Sequence, residues 1–341
     1  MDVAVVILNW NGKAMLERYL PGVVESAATF GGGDSGHAAF VVVADNGSTD
    51  GSQAWMEAHY PQVRLLEFDQ NYGFTGGYNR ALQEIEADYY VLLNSDVDTP
   101  KGWLDPLFDF MEEHPEAGIC QPKLCAEADH GRFEYAGAAG GFIDRYGYPF
   151  CRGRILSMIE HDTGQYDEPM EVFWASGACM MIRSGLYHHL GGLDESFFAH
   201  MEEIDLCWRA HLLGYQVWCI PASTVYHVGG GTLPNDSPRK LYFNYRNNLL
   251  MLWKNLPSDN RGRIRTRMWL DRASAAIYLL TGRWKSLAAV RRAHRDFRKM
   301  RDELEVSPFE EGREFEGYYP RSIVLDFFRS RKRLKFSDLD F

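Results

Sequence analysis

Short apolar runs alternate with longer amphipathic stretches along the first hundred residues. Val3-Ala4-Val5-Val6-Ile7-Leu8, Phe40-Val41-Val42-Val43-Ala44 and Tyr89-Tyr90-Val91-Leu92-Leu93 read as buried strands, and Val63-Arg64-Leu65-Leu66-Glu67 as a shorter one. Between them, Met15, Leu16 and Leu20 share one face of a helix reaching about Ala28. A second helix carries Trp55 and Met56, and a third runs from the glycine-rich loop at Gly73 to about Glu86. This alternation predicts an α/β fold with a mostly parallel, Rossmann-like sheet and helices on both faces. Three of the strands end in polar clusters: Asn9-Trp10-Asn11, Asp45-Asn46 and Asn94-Ser95-Asp96. In a parallel sheet these ends lie side by side, on the edge where open α/β sheets bind ligands.

After Pro100 the periods become harder to read. A helix from Trp103 to His114 and a strand over Gly118–Leu124 are followed by a weakly periodic stretch, 126–170, read as an irregular, partly β insertion that could carry acceptor contacts. Val172 to Ile182 is an apolar strand region interrupted by Ser176-Gly177, where a glycine marks a bulge or a close approach to a ligand. A helix is expected from Glu202 and a strand over Gln216–Pro221. A short run ends at His227, before Gly229-Gly230-Gly231, where a loop could close over a site. From Tyr242 to Leu256 an amphipathic helix carries Tyr245, Arg246, Asn247 and Asn248. The expected organisation is one domain over 1–235, with a nucleotide-binding half to about 100 and an acceptor half beyond, then a helical region over 236–341.

The chain has 341 residues, 45% of them hydrophobic, enough for a sizeable core. Its net charge of −11 argues against a nucleic-acid partner. Between Arg261 and Arg301, however, thirteen Lys or Arg face only Asp271 and Asp296. That basic segment, with Trp269, Tyr278, Leu279, Leu280 and Trp284, suits either a peripheral contact with an anionic membrane or packing on the catalytic domain or a second subunit. Its apolar run Ala273–Thr281 falls short of the ~18 residues a span needs. The six cysteines form no C-x-x-C pair and read as reduced and buried. A strand already under way at Val3 leaves no signal peptide, so a cytoplasmic location is expected, with the inner membrane face as its peripheral variant.

Neither a G-x-G-x-x-G fingerprint nor a P-loop follows the first strand. Gly73, Gly76 and Gly77 fit a helix N-terminus near a phosphate or a plain turn equally well. Asp96-Val97-Asp98 at a strand end offers hard oxygen ligands to Mg²⁺ or Mn²⁺; the alternative is that both only cap the next helix. Glu202 and Glu203 in a first helical turn would favour the helix dipole even without a chemical role. Asp205 and Arg209 are spaced to pair.

Taken in order, Val6-Ile7-Leu8-Asn9-Trp10-Asn11, Val43-Ala44-Asp45-Asn46-Gly47-Ser48-Thr49-Asp50-Gly51-Ser52, Asn71-Tyr72-Gly73-Phe74, Leu92-Leu93-Asn94-Ser95-Asp96 and Glu202-Glu203-Ile204-Asp205-Leu206-Cys207-Trp208-Arg209 resemble a family-two glycosyltransferase of the GT-A fold, in its rhamnosyltransferase-like branch. The resemblance covers about residues 3–256. It implies that Asn9, Trp10, Asn11, Asp45 and Asn46, with Asn71, Gly73, Phe74, Asn79, Asn94 and Ser95, bind a nucleotide sugar carried on dTDP or UDP. It implies Asp96 as metal ligand, Asp98 and His227 as further ligands, and Mg²⁺ or Mn²⁺ as cofactor. Asn94 stands where the family carries an aspartate. Glu203 resembles the catalytic base, with Glu202 as its rival and Asp205 ordering the helix. Trp174 and Gly177 are the expected contacts for a glycan or lipid-linked acceptor. The competing classes are a sugar-phosphate nucleotidyltransferase and a non-catalytic binding protein, and a homo-oligomer is compatible with either reading.

Overall fold

The computed structural model describes residues 1–33, 36–229, 237–257, 261–304 and 316–341. The first half alternates as its apolar runs require. β1 (Asp2–Asn9), α1 (Lys13–Thr29), β2 (Ala38–Asp45), α2 (Ser52–His59), β3 (Arg64–Glu67), α3 (Gly73–Gln83) and β4 (Tyr89–Asn94) follow one another. β1 pairs in parallel with β2 on one side and β4 on the other, and β2 with β3. The sheet order therefore reverses at β1, which makes the ends of β1 and β4 a switch point where a crevice forms. In this register Asn9 lies opposite Asp45, and Asn94 opposite Leu8, so the three polar clusters share one rim.

The second half extends the same sheet in mixed directions. After β5 (Val97–Asp98) and α4 (Asp105–Glu113) come β6 (Ala117–Ala126) and β7 (Asp129–Phe133). The small strands β8 (Gly141–Asp144), β9 (Pro149–Cys151), β10 (Arg154–Ile155), β11 (Met158–Ile159) and β12 (Met170–Glu171) bear out the partly β insertion. β13 (Cys179–Arg183), α5 (Ser184–His189), α6 (Glu202–Leu212) and β14 (Gln216–His227) complete this half. Among the described residues the main sheet has ten strands, and β8 to β11 build a second, five-stranded sheet with β15 (Tyr318–Tyr319).

The apolar run from Val172 does not form one strand. Cys179–Arg183 pairs antiparallel to β4 and β6, and Trp174 makes a lone bridge to Gly141. The residues before Cys179, Gly177 excepted, are buried. Conversely, the run ending at His227 and the strand before it are a single strand, bulged near Ile220–Thr224. Gly230 and Gly231 and the expected boundary at 235–236 lie outside the described residues.

The C-terminal part consists of α7 (Pro238–Asn255), α8 (Gly262–Leu280), α9 (Trp284–Met300) and α10 (Ile323–Arg329). It shares one core with the sheet half: Leu249, Leu250, Met251, Phe297 and Phe327 belong to the same buried cluster as Ala4, Leu92 and Trp174. β15 pairs in parallel with β8 and completes the smaller sheet. Among the described residues no helix is long and apolar enough to cross a membrane. All six cysteines are free and buried.

Candidate active site

The rim is held by its own side chains. Asn9 Nδ2 donates to Asp45 Oδ2 at 2.8 Å and to Ser48 Oγ at 3.2 Å. Asp45 Oδ1 accepts from the Ser48 amide and from Gln53 Nε2, so this buried carboxylate fixes the loop after β2. Asn11, with φ of 51°, accepts from the Thr49 amide at 2.7 Å and ties the loop after β1 to the loop after β2. Asn9 Oδ1 is buried without a partner. Trp10 stands at 42% exposure beside it, a flat apolar face open at the rim.

Asn46, Asn71, Gly73, Phe74 and Asn79 form a second layer that grips the chain ahead of α6. Asn46 Nδ2 donates to the Gly73 carbonyl at 2.9 Å, and Asn71 Oδ1 accepts from the Gly73 amide at 2.8 Å. The amides of Phe74 and Thr75 both donate to the Phe198 carbonyl. The first turn of α3 is thus capped by protein, which leaves the phosphate reading of that helix without open donors. Gly73 has φ of 76°, and a Cβ there would come within 2.6 Å of the Phe198 carbonyl oxygen. Asn79 clamps the same region through the Leu193 amide and carbonyl and the Tyr187 hydroxyl.

The segment so gripped carries Phe198, His200 and Met201 at φ of 65°, 71° and 74°. Such left-handed residues cost about 1–2 kcal/mol each and persist only where the surroundings over-determine them. Here α7 does so from the other side. Asn247 Nδ2 is aimed at the carbonyls of Phe197, Ala199 and His200 at 3.0, 2.8 and 2.7 Å. Arg246 adds bonds to the carbonyls of Ser196 and Phe197.

α6 then begins with the two glutamates. Glu202 is buried and Glu203 half-buried, and each has an Oε2 with no partner. Burial pushes the Glu202 carboxyl well above its ordinary range, with the Glu203 charge adding to the shift. Burial also raises Glu203, to about 7. Gly177 is the one residue of 172–182 that is not buried. A Cβ on it would meet Phe74 at 3.4 Å and Glu203 at 3.6 Å, while the next carbonyl, of Ala178, accepts from the Asn94 amide at 2.9 Å. Glu203 and the end of β4 therefore meet across Gly177. Asp205 is fully buried and accepts from Arg209, Lys254 and Asn255 at 2.8, 3.0 and 2.7 Å, which fastens α6 to α7.

Below Asn94, the β5–β14 pairing sets Val97 opposite His227 and Asp98 opposite Tyr226. His227 Nε2 donates to Asp96 Oδ1 at 3.2 Å, and Nδ1 lies 3.5 Å from Glu134 Oε1. Burial alone would lower this imidazole, but Asp96 and Glu134 outweigh it and raise it to about 10. Asp98 lies instead near Tyr19 and Tyr226, whose hydroxyls are raised chiefly by burial, with the Asp98 charge a lesser contribution. Burial lowers Lys240, at the start of α7, and the charges of Glu134 and Glu203 both act against that shift, so both carboxylates lie near it. Glu134 and Lys240 are site residues that sequence reasoning missed. Trp174 corrects an expectation. It is 3% exposed, its Nε1 donates to the Phe142 carbonyl at 2.9 Å, and its ring occupies the space a Cβ on Gly141 would need. It joins the two sheets and does not face an acceptor.

Among the described residues no three His, Cys, Asp or Glu side chains stand ready to hold a metal by themselves. Asp96, 14% exposed at the side chain, and His227, once its imidazole gives up the proton that Asp96 and Glu134 hold on it, still fit a cation that takes its remaining ligands from substrate phosphates and water.

Sugar-transferring enzymes of known structure share this architecture. GalNAc-T7, crystallised with UDP, GalNAc and Mn²⁺, superposes with a TM-score of 0.54 at 14% identity, over 74% of this chain and 48% of that one. The mannosyltransferase PcManGT from Pyrobaculum calidifontis, in complex with GDP-Man and Mn²⁺, superposes with a TM-score of 0.51 at 16% identity, over 86% of each chain. The fold is thus that of GT-A glycosyltransferases. Residues 4–191 match the family described as glycosyl transferase family 2, and the protein belongs to it. It is 28% identical over 228 residues to the N-acetylglucosaminyl-diphospho-decaprenol L-rhamnosyltransferase of Mycobacterium tuberculosis, covering 62% of this chain and 74% of that one. It is 24% identical over 262 residues to the low-salt glycan biosynthesis hexosyltransferase Agl10 of Haloferax volcanii, covering 73% and 75%. With the rhamnosyltransferase WbbL of Escherichia coli it shares 23% identity over 165 residues, 46% of this chain and 61% of that one. The membership makes the chain a glycosyltransferase and sets the nucleotidyltransferase reading aside.

Proposed function

We propose that the protein transfers rhamnose or a similar hexose, with inversion, from a dTDP- or UDP-linked donor to a hydroxyl of a glycan or lipid-linked acceptor in cell-surface polysaccharide synthesis. The observation that carries this reading is the half-buried Glu203 carboxyl, raised to about 7 and lacking a partner at Oε2, set against Gly177 beside the rim. A carboxylate there can take the proton of an acceptor hydroxyl as it attacks. Gly177, with no side chain, leaves the acceptor room beside Glu203. Trp10 offers its face to the nucleobase, and the buried Asn9 side chain holds the loop beside it through Asp45 and Ser48.

Asp96 and His227 would hold Mg²⁺ or Mn²⁺, which when bound neutralises charge on the leaving diphosphate. Support comes from the Mn²⁺ in both structural neighbours and from the Asp96–His227 contact. Asp205 acts at a distance by fixing α6, and Asn46, Asn71 and Asn79 by fixing the segment before it.

A panel of nucleotide sugars tests the reading. One dTDP or UDP sugar should raise the melting temperature and release its nucleoside diphosphate, with Mn²⁺ or Mg²⁺ required and EDTA inhibitory. Asp96→Ala should fold normally and lose most turnover. Full turnover in EDTA would sink the metal assignment, and failure of every donor to bind or react would sink the transfer itself.

A further inference from the structure

α8 is built inside out. Its inward positions include Arg267 and Asp271, both buried. Arg267 Nε donates to Asp271 Oδ1 at 2.8 Å, His294 Nε2 meets Asp271 Oδ2 at 3.1 Å, and Arg267 also donates to the Tyr146 carbonyl. Its outward positions include a row of large apolar side chains. Trp269, Ile277 and Leu280 are 67%, 58% and 86% exposed, and Trp284, just past the turn, is 63% exposed. Spacings of eight and three residues put Trp269, Ile277 and Leu280 on one outer stripe of α8, and Trp284 opens α9 just beyond it. A surface helix in water has the opposite arrangement.

The surroundings of the stripe are cationic. Arg265, Arg272, Arg283, Lys285, Arg291 and Arg295 are exposed around it, and the one acid between Gly262 and Arg295, Asp271, is buried. Arg272 lies over the Trp269 ring at 4.6 Å. A groove lined by Trp284, Leu287, Arg291, Arg292 and Arg295 combines apolar and cationic side chains, which suits an anionic headgroup with its acyl chain. A second copy of this chain fits poorly, because two-fold pairing of the stripe would set arginines against arginines.

We propose that the outer face of α8 and its turn into α9 is a membrane-interface surface that seats on a bilayer containing anionic headgroups. The aromatic and aliphatic stripe enters the acyl boundary, and the arginines meet the phosphates. The chain lies on the membrane and does not cross it. This inference does not depend on the transfer chemistry.

Flotation of the full chain with phosphatidylcholine vesicles, with and without phosphatidylglycerol, tests it at ~0.1 M and ~1 M salt, where the Debye length falls from ~10 Å to ~3 Å. Binding should require the anionic lipid, weaken at high salt, and shift tryptophan emission to the blue. Trp269→Ser/Leu280→Ser should bind about tenfold or more weakly, since two exposed anchors are removed without touching the core. Arg291→Glu/Arg295→Glu should lose the dependence on anionic lipid. Donor turnover in solution should be unchanged in both variants. No binding to anionic vesicles at low salt would overturn the proposal, as would undiminished binding by both variants. A dimer in light scattering that Trp269→Ser/Leu280→Ser abolishes would also overturn it, in favour of a second copy.

Discussion

With its carboxyl near pH 7, Glu203 is about half ionised in neutral solution. A base must be ionised to act. kcat should therefore climb about tenfold per pH unit below this value and level off above it. The linkage for folding has the opposite sense. A raised carboxyl contributes stability that is complete below about 4.5 and is lost as pH rises through about 7. Glu203→Gln should lower kcat about 10²-fold or more, remove the pH dependence, and leave nucleotide affinity unchanged. If Glu202→Gln shows that pattern and Glu203→Gln does not, the base is the more buried of the pair. Asn9, Asp45 and Asn94 were legible as a group because strand ends in a parallel sheet align. Glu134 was not, because it sits in a stretch without a period, and only folding brings it to His227.

At the scale of elements, α7 has a function that its sequence conceals. Arg246 and Asn247 look like the polar face of an amphipathic helix, yet both point inward at the carbonyls of the left-handed segment before α6. Asn247→Ala leaves the Ala199 and His200 carbonyls without their donor from α7 and releases the segment that aims Glu203. It should cost about 1–3 kcal/mol in urea unfolding and at least tenfold in kcat, while donor affinity is kept. Unchanged kcat in a folded Asn247→Ala would show that the segment holds without α7. The run from Val172 misled for a related reason. An uninterrupted apolar stretch signals burial, and period alone cannot separate a strand from a buried segment outside one. α8 is the converse case, because its outward apolar stripe reads in sequence as a core face.

At the scale of the whole chain, the two halves and the C-terminal helices share one apolar core, and β15 finishes a sheet begun near Gly141. The parallel pairing of the first strands and the basic helical end were both readable from pattern. Their fusion was not, because pairings such as Tyr318 with Ile143 leave no local trace. The clamp on residues 197–200 has a consequence in time. Its donors come from Asn247, about fifty residues downstream, so the strained segment is stabilised only after α7 has docked, whereas β1 pairs with β2, nearer in sequence, without it. Contacts of long sequence separation form late. On dilution from denaturant, far-ultraviolet ellipticity should recover first, and catalytic turnover should follow in a slower phase. Asn247→Ala should lengthen the lag or leave the turnover amplitude incomplete. Coincident recovery of the two signals would mean that the segment before α6 takes its left-handed course unaided.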